Sequence, residues 1–278
     1  MTDHLHVTIE DGLCTVTMNR PEARNAFSEA MRSAFAEAVP RIAADAQIRA
    51  VILTGAGGAF CAGGDIRTML ELRPTTDIEG WRARMLGVQT WMRPLAELDK
   101  PLVAAVDGPA FGAGFGLALM ADFVLASPRA RFCMSFAKIG LVPDFAAMYT
   151  LPRVVGVQRA KELILSAREV DADEALRLGI AMEIVPAESL MARARELATS
   201  MQGASPLVVS LVKRELGMAL ATDLRTTLHQ EADHQAMCFE SSYHGEAVRR
   251  FVAKEPAKFD FRAAPKAADA AGDGQARR

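Results

Sequence analysis

The pattern of apolar and polar residues at the start of the chain predicts a β-hairpin. Every second residue is apolar over residues 5–9 and again over residues 14–18. Between the two runs lies the pair Asp11-Gly12, which favours a two-residue turn joining antiparallel strands. We therefore expect the chain to begin with two short paired strands.

The pattern then changes to helical spacing. Ser28 can cap a helix, and behind it the apolar residues recur every three or four positions. These positions are Met31, Phe35, Val39 and Ile42. A β-rich apolar run over residues 50–54 comes next, so this part of the chain predicts a β-β-α-β passage.

A second strand and helix are predicted farther along. Residues 101–106 form a continuous apolar run typical of a buried strand, and the small, apolar residues 114–126 predict a helix. Later, Asp171 and Glu174 form a capping box, Gly179 is a helix stop, and residues 180–185 favour a short strand. Up to about residue 185 the chain is therefore predicted to be α/β.

Beyond Pro186 the pattern predicts helices alone, over residues 187–201, from Ser205-Pro206, and over residues 223–238. Their apolar positions are too many for an exposed appendage, so these helices are expected to pack on the core or on another subunit. We therefore divide the chain into a core at residues 1–200, a helical oligomerisation region at 201–262 and a tail at 263–278. The tail has no large apolar residue and is expected to be disordered.

Composition and charge narrow the classes of protein. The chain has 278 residues with 32 basic and 34 acidic side chains, and a net charge of −2 gives no general attraction for nucleic acid or an anionic membrane. No apolar stretch reaches the roughly 20 residues that a membrane helix needs. The four cysteines are scattered, no metal-ligand spacing is present, and the N-terminus lacks a signal-peptide pattern. We expect a cytoplasmic protein without a metal site.

Two glycine-rich turns are the most informative feature of the sequence. They span residues 54–65 and 107–114, and each follows an apolar strand and leads into a helix-like pattern. Glycine lets the backbone approach a ligand closely, and free N–H groups at the start of a helix attract negative charge. One such turn is more typical of a tight loop than of a site. Two together can form an oxyanion hole.

In these turns and three further motifs the sequence resembles the crotonase, or enoyl-CoA hydratase/isomerase, superfamily. The matching stretches are residues 19–26, 60–66, 107–114 and 140–144, and Phe251 with Lys254. The resemblance implies a crotonase-type ββα spiral core with a C-terminal helical trimerisation region. It also implies an acyl-CoA thioester as substrate, with coenzyme A as part of that substrate, no separate cofactor, and a homotrimer or hexamer.

The resemblance also implies site residues. The backbone N–H groups of Gly64 and Ala113 correspond to the family's oxyanion hole. Residues expected to bind coenzyme A are Arg24, Ala62, Ile66, Phe251 and Lys254, and the family takes the lysine from an adjacent subunit. Asp65 is expected to cap a helix and order its own loop rather than to act in catalysis.

The two glutamates that the family's hydratases use are absent here, since Gly116 and Phe136 stand at their positions. The remaining carboxylate is Asp144, where several isomerases of the superfamily use an aspartate as a proton shuttle. The alternative for Asp144 is a helix cap. Relatives usually carry glycines after this aspartate, whereas this chain has Phe145 and Ala146.

These features predict an acyl-CoA isomerase of fatty acid or aromatic catabolism, which shifts a double bond or isomerises a ring epoxide. Two alternatives remain open. One is an enoyl-CoA hydratase, which is a lyase, and the other is a catalytically silent acyl-CoA-binding paralogue.

Overall fold

A computed structural model describes residues 3–259 and residue 261, and it confirms the predicted hairpin at the start of the chain. The first two strands pair antiparallel from Leu5 opposite Met18 to Glu10 opposite Leu13. Asp11 and Gly12 join them with φ angles of +49° and +76°. Two successive positive φ angles define the type I′ turn that this pair favours.

Nine strands form two sheets in the described part of the chain. In chain order they are β1 (Leu5–Glu10), β2 (Leu13–Met18), β3 (Ala50–Gly55), β4 (Leu102–Val106), β5 (Pro109–Phe111), β6 (Phe123–Ala126), β7 (Arg131–Cys133), β8 (Val170–Asp171) and β9 (Glu183–Ile184). The larger sheet has the order β1-β2-β3-β4-β6-β9 and is parallel except for its first pair. The smaller sheet has the order β5-β7-β8.

Eleven α-helices accompany these strands in the same described residues. They are α1 (Glu29–Ala44), α2 (Ile66–Leu72), α3 (Ile78–Ala96), α4 (Ala113–Ala118), α5 (Ala147–Val155), α6 (Val157–Ser166), α7 (Ala172–Arg177), α8 (Leu190–Gln202), α9 (Pro206–Met218), α10 (Leu224–Phe239) and α11 (Ser242–Val252). The predicted cap of α1 is confirmed, since the Ser28 side chain accepts a hydrogen bond from the Met31 N–H. Asp171 likewise caps α7 by accepting from the Glu174 N–H.

The larger sheet separates two apolar clusters because alternate residues of a strand point to opposite faces. Val51 and Leu53 of β3 belong to the main cluster, which also contains residues of α1 and α3. Ala50 and Ile52 belong to the second cluster, whose other side is α8. The continuous apolar run of β3 is thus buried on both faces, as expected for a central parallel strand.

Some predicted boundaries were wrong. The helix expected over residues 114–126 is shorter and ends at Ala118. Residues 123–126, which were expected to be helical, form strand β6 instead. A run of small and apolar residues suits a buried helix and a buried strand equally well, so periodicity could not separate the two. The strand expected over residues 180–185 is shorter and covers Glu183–Ile184. The predicted disordered tail at 263–278 lies outside the described residues.

Helices α9, α10 and α11 leave large apolar side chains exposed. None of α9, α10 and α11 has a buried residue within this chain. Their large exposed apolar side chains include Leu216, Leu224, Phe239 and Phe251.

In the described part of the chain, every helix is too short or too polar to cross a membrane.

Candidate active site

The fold brings the two glycine-rich turns into direct contact. Cys61 of the first turn pairs with Ala110 of the second as a parallel bridge, and the Phe111 N–H donates to the Cys61 carbonyl oxygen at 2.9 Å. Gly63 has φ +96°, and a Cβ there would lie 2.7 Å from the carbonyl oxygen of Phe111. This close approach and the positive φ both require glycine at position 63.

Two backbone N–H groups remain available at this junction. Ala113 is the first residue of α4, where an N–H group has no partner within the helix. Gly64 follows Gly63, whose built Cβ would lie 3.4 Å from the Ala113 nitrogen. Among residues 3–259, neither the Gly64 nor the Ala113 N–H donates a hydrogen bond. The junction therefore offers two neighbouring donors, as an oxyanion hole requires.

Asn25 fixes the first turn, a role that the sequence alone did not reveal. Its side chain is fully buried, and its Nδ2 donates to the carbonyl oxygens of Ala56 and Ala59 at 2.9 and 2.7 Å. Its Oδ1 accepts from the Arg20 N–H at 2.7 Å. With φ +58°, Asn25 is one of the residue types that tolerate this conformation. The asparagine therefore links the backbone at Arg20 to the first turn.

Asp65 caps α2, which confirms the role predicted for it. Its carboxylate accepts from the Arg67 and Thr68 N–H groups and pairs with Arg20 at 2.5 Å. Burial acts to raise the pKa of Asp65, but the Arg20 guanidinium and the two N–H groups outweigh it and hold the pKa below its usual range. Asp65 therefore remains an acceptor that orders the end of the first turn.

The two positions of the family's glutamates are filled by apolar packing. A Cβ at Gly116 would lie 2.7 Å from the Phe145 Cβ. Phe136 is buried, and its ring lies 3.6 Å from the position of a Cβ built on Gly112, next to Ala113. Neither position can hold a carboxylate beside the glycine turns. A water molecule therefore has no glutamate there to activate it.

The backbone of Asp144 lies beside Gly116, and its side chain does not cap α5. The Asp144 carbonyl oxygen is 3.3 Å from the position of a Cβ on Gly116, one helical turn from Ala113. Helix α5 begins at Ala147 without a side-chain cap, and the Ala147 N–H donates instead to the Asp144 carbonyl oxygen. The side-chain Oδ1 of Asp144 is buried without a hydrogen-bond partner. The helix-cap alternative is therefore wrong.

The surroundings of Asp144 favour its neutral form. Burial raises the pKa of the Asp144 carboxyl to about 6, and the nearby Arg32 guanidinium opposes that rise. A carboxyl group whose pKa lies close to neutrality can both take up and release a proton at physiological pH. This is the property that a proton shuttle needs.

An aromatic cluster holds Asp144 next to α1 and α3. The Phe145 ring centroid lies 4.8 Å from that of Phe27 and 5.7 Å from that of Trp91, and Trp91 stacks on Phe35 of α1 at 4.7 Å. Phe145 and Ala146 have φ angles of +49° and +56°, which non-glycine residues rarely adopt. The glycines usual after this aspartate are thus replaced by residues in a strained conformation, and burial of the Phe145 ring offsets the strain.

The residues expected to bind coenzyme A fall into two groups. Arg24, Ala62 and Ile66 lie together, since the Ala62 N–H donates to the Arg24 carbonyl oxygen and Ile66 starts α2. Phe251 lies in the last turn of α11 with 84% of its surface exposed, and Lys254 follows that helix. Within residues 3–259 the Lys254 ammonium has no hydrogen-bond or ion-pair partner.

Other chemistry at the turns is disfavoured by the side chains present. Burial raises the pKa of the Cys61 thiol to about 12, so Cys61 is not a thiolate nucleophile at neutral pH. In the described part of the chain, no three His, Cys, Asp or Glu side chains are grouped so as to hold a metal ion. The candidate reactive groups near this junction are therefore the two backbone donors and the Asp144 carboxyl, since the Asp65 carboxylate is held by Arg20 and the N-terminus of α2.

Comparison with known proteins agrees with this geometry. The sequence matches the family model of enoyl-CoA hydratase/isomerase over residues 8–262. The chain therefore belongs to the enoyl-CoA hydratase/isomerase family, within the crotonase superfamily, and it is an enzyme of the α/β class that this family defines.

Individual relatives carry different activities. The chain is 36% identical over 257 residues to 1,2-epoxyphenylacetyl-CoA isomerase of Escherichia coli, covering 90% of this chain and 96% of that one. It is also 36% identical over 246 residues to short-chain-enoyl-CoA hydratase of Clostridium acetobutylicum, covering 88% and 93%. The crystal structure of an enoyl-CoA hydratase/isomerase from Cupriavidus metallidurans superimposes with a TM-score of 0.88 at 39% identity, covering 95% and 99%.

Proposed function

We propose that the protein is an acyl-CoA isomerase in which Asp144 is the proton shuttle. One observation carries the proposal. Asp144 has a backbone next to Gly116 and a buried carboxyl oxygen without a hydrogen-bond partner, whereas Asp65 and Asp107 of the turns are paired with arginines and Gly116 and Phe136 leave the two glutamate positions without a carboxylate.

The geometry supports a two-step proton transfer through an enolate. The thioester oxygen lies against the N–H groups of Gly64 and Ala113, and Asp144 takes a proton from the carbon next to that carbonyl. The electron pair of the broken C–H bond moves onto the thioester oxygen, where the two donors stabilise its charge. Asp144 then returns the proton to a different carbon, and the carbonyl re-forms with the double bond shifted.

Two substrate types fit this chemistry. One is a 3-enoyl-CoA, in which only the double bond moves. The other is a ring-epoxidised aryl-CoA, in which a ring bond at the epoxide breaks in addition to the C–H bond and its electron pair becomes part of a new double bond. The similarity to a 1,2-epoxyphenylacetyl-CoA isomerase supports this type. We propose that the enzyme acts in fatty acid or aromatic-acid catabolism and in the cytoplasm.

Assembly and binding of coenzyme A form part of the same proposal. Helices α9, α10 and α11 expose large apolar side chains, which favours burial against further copies of the chain as a homotrimer or hexamer. In that assembly Phe251 and Lys254 of one protomer extend the site of another, while Arg24, Ala62 and Ile66 bind the coenzyme from the protomer's own turn. Light scattering in solution tests the assembly.

Turnover by Asp144→Asn tests the catalytic proposal. The variant keeps the size of the side chain and removes the base, so isomerisation of 3-enoyl-CoA should fall about a hundredfold to ten-thousandfold. The wild-type kcat/KM should decline below about pH 6, where Asp144 becomes protonated. The control is Asp173→Asn, which changes an exposed carboxylate on α7.

The outcomes separate the three possible functions. Full turnover by Asp144→Asn contradicts the shuttle. Hydration of crotonyl-CoA at the rate expected of isomerisation would instead make the protein a hydratase. Binding of acyl-CoA with no turnover on 3-enoyl and aryl-epoxide substrates would make it a silent binding paralogue.

A further inference from the structure

In the described part of the chain, three buried side-chain polar atoms lack a hydrogen-bond partner, and they belong to two residues. The atoms are Oδ1 of Asp144 and both Nε and Nη1 of Arg32. Asp144 already has a place in the proposed reaction. Arg32, on the second turn of α1, has none. An unpaired buried donor costs about 1–3 kcal/mol, and more when it is charged, so its retention calls for a reason.

Arg32 and Asp144 are neighbouring charged residues, and both have buried side-chain atoms without a partner. Each is close enough for its charge to act on the other, yet no ion pair within 4.0 Å joins them. The aromatic cluster explains how Arg32 and Asp144 are positioned. Phe35, one helical turn beyond Arg32, stacks on Trp91, and Trp91 contacts Phe145, the residue after Asp144. The packing of these three rings thus positions the two segments that carry the charges.

The other charged groups near Arg32 do not satisfy its donors. Glu29, also on α1, binds the Arg84 guanidinium of α3 at 2.6 Å. Burial and the like charge of Arg84 lower the pKa of Arg32, while Glu29 and Asp144 raise it. The Glu29 carboxylate is therefore engaged with Arg84, and the partner of Arg32 has to come with the ligand.

The charges around Arg32 and Asp144 favour a neutral partner for Arg32 over an anionic one. Arg32 and Arg84 carry two positive charges, and Glu29 and ionised Asp144 carry two negative ones, so the group is neutral before a substrate binds. An anionic acyl group would bring a third negative charge opposite Asp144. A neutral oxygen, such as a ketone, hydroxyl, ether or epoxide oxygen, accepts from the guanidinium without that repulsion.

We propose that Arg32 is a specificity-determining residue that donates a hydrogen bond to a neutral oxygen in the acyl group of the substrate. This inference rests on the proposed acyl-CoA site and deepens it. The preferred thioesters carry an acceptor oxygen beyond the carbonyl carbon, and plain alkyl thioesters leave Arg32 unpaired. Arg32 binds the part of the acyl group that distinguishes substrates, whereas Asp144 acts on its carbons.

The test measures binding of saturated thioesters, which contain no double bond to isomerise. The probes are hexanoyl-CoA, 4-oxohexanoyl-CoA and 5-oxohexanoyl-CoA, with adipyl-CoA as the anionic probe, each titrated by calorimetry. A hydrogen bond to a charged donor corresponds to about a tenfold difference in affinity. We expect at least one oxo thioester to bind about tenfold more tightly than hexanoyl-CoA.

Variants assign the preference to Arg32. In Arg32→Met the ratio of the affinities for the oxo thioester and for hexanoyl-CoA should fall to about one. Arg32→Lys keeps the positive charge but lacks the planar set of donors of a guanidinium, so its ratio should be intermediate. Arg41→Met is the control, since Arg41 lies on the same helix but is exposed and paired with Glu37. If Arg32→Met does not fold, Arg32→Lys and Arg32→Gln carry the same comparison.

Each other outcome overturns the proposal in a distinguishable way. Equal affinity for hexanoyl-CoA and both oxo thioesters removes the specificity role but leaves the isomerase proposal intact. An unchanged ratio in Arg32→Met assigns the preference to another residue. Tighter binding of adipyl-CoA than of either oxo thioester shows that the site selects an anion. Failure of hexanoyl-CoA itself to bind contradicts the acyl-CoA site and this inference together.

Discussion

Gly116 lies directly against Phe145, and the two residues together exclude a glutamate from the candidate site. A Cβ on Gly116 would come within 2.7 Å of both the Cβ and the carbonyl oxygen of Phe145. Real Cβ atoms do not approach other heavy atoms so closely. The missing glutamate is therefore a property of the packing and not of one position, because Phe145 occupies the space that a side chain on α4 would need.

Replacing Gly116 by alanine should destabilise the protein. The added methyl group forces Phe145 to shift in a well-packed core, which lowers the free energy of unfolding by about 1–3 kcal/mol. Gly87→Ala is the control, since Gly87 lies on α3 with open space around it and alanine there should add about 0.5–1 kcal/mol. Urea denaturation measures both changes. A Gly116→Ala protein as stable as the wild type would show that Phe145 can move away from the added methyl group at no cost in stability.

Replacing Ala146 by glycine should stabilise the protein. Ala146 has φ +56°, a conformation that costs an L-residue roughly 1–2 kcal/mol and costs glycine almost nothing. After the greater chain entropy of glycine is subtracted, the gain is about 0.5–1 kcal/mol. Phe145→Gly removes the same kind of strain but also the buried ring, so it should be destabilising by about 2–4 kcal/mol. A loss of stability in Ala146→Gly would contradict the strained turn.

Asp144 should make the folded protein less stable as the pH rises. Its pKa is raised on folding from 3.8 to about 6, so its favourable contribution is complete below about pH 4 and is lost as the pH rises through 6. At about 1.4 kcal/mol per pKa unit, the loss amounts to roughly 3 kcal/mol. Asp144→Asn should therefore exceed the wild type in stability by more at pH 8 than at pH 5. A difference independent of pH would mean that the carboxyl is solvated.

Asn25→Ala should loosen the first glycine turn. Its amide makes three hydrogen bonds, and its loss leaves buried carbonyl oxygens of Ala56 and Ala59 unpaired, so the free energy of unfolding should fall by about 3 kcal/mol. The N–H of Gly64 should lose its position, and turnover should fall with it. Asn19→Ala, which removes exposed hydrogen bonds, should change stability by only a few tenths of a kcal/mol. Equal effects of the two variants would assign Asn25 no special role.

Local sequence signals predicted the parts of the fold that local physics determines. The Asp11-Gly12 turn, the Ser28 cap and the Asp171 cap each depend on a few neighbouring residues, and all three were confirmed. The helix expected over residues 114–126 failed at β6 because hydrogen bonding to β4, nearly twenty residues away, decides between helix and strand.

The candidate site was predicted only in part for the same reason. The glycine turns and Asp144 stand out in the sequence, but the placement of Arg32 opposite Asp144 depends on Phe35, Trp91 and Phe145, which come from three distant segments. The left-handed conformation of Phe145 likewise gives no signal in sequence, since phenylalanine is an uncommon residue there.

The fate of 3-hexenoyl-CoA tests the one-carboxylate isomerase most directly. Chromatography separates the conjugated isomer from unreacted substrate of the same mass, and mass spectrometry identifies a hydrate, which is heavier by one water, among the products of the wild type and of Asp144→Asn. We expect the wild type to form the conjugated isomer and no hydrate, and we expect Asp144→Asn to form almost no isomer. A hydrated product, or an isomer formed equally fast by Asp144→Asn, would contradict the one-carboxylate isomerase.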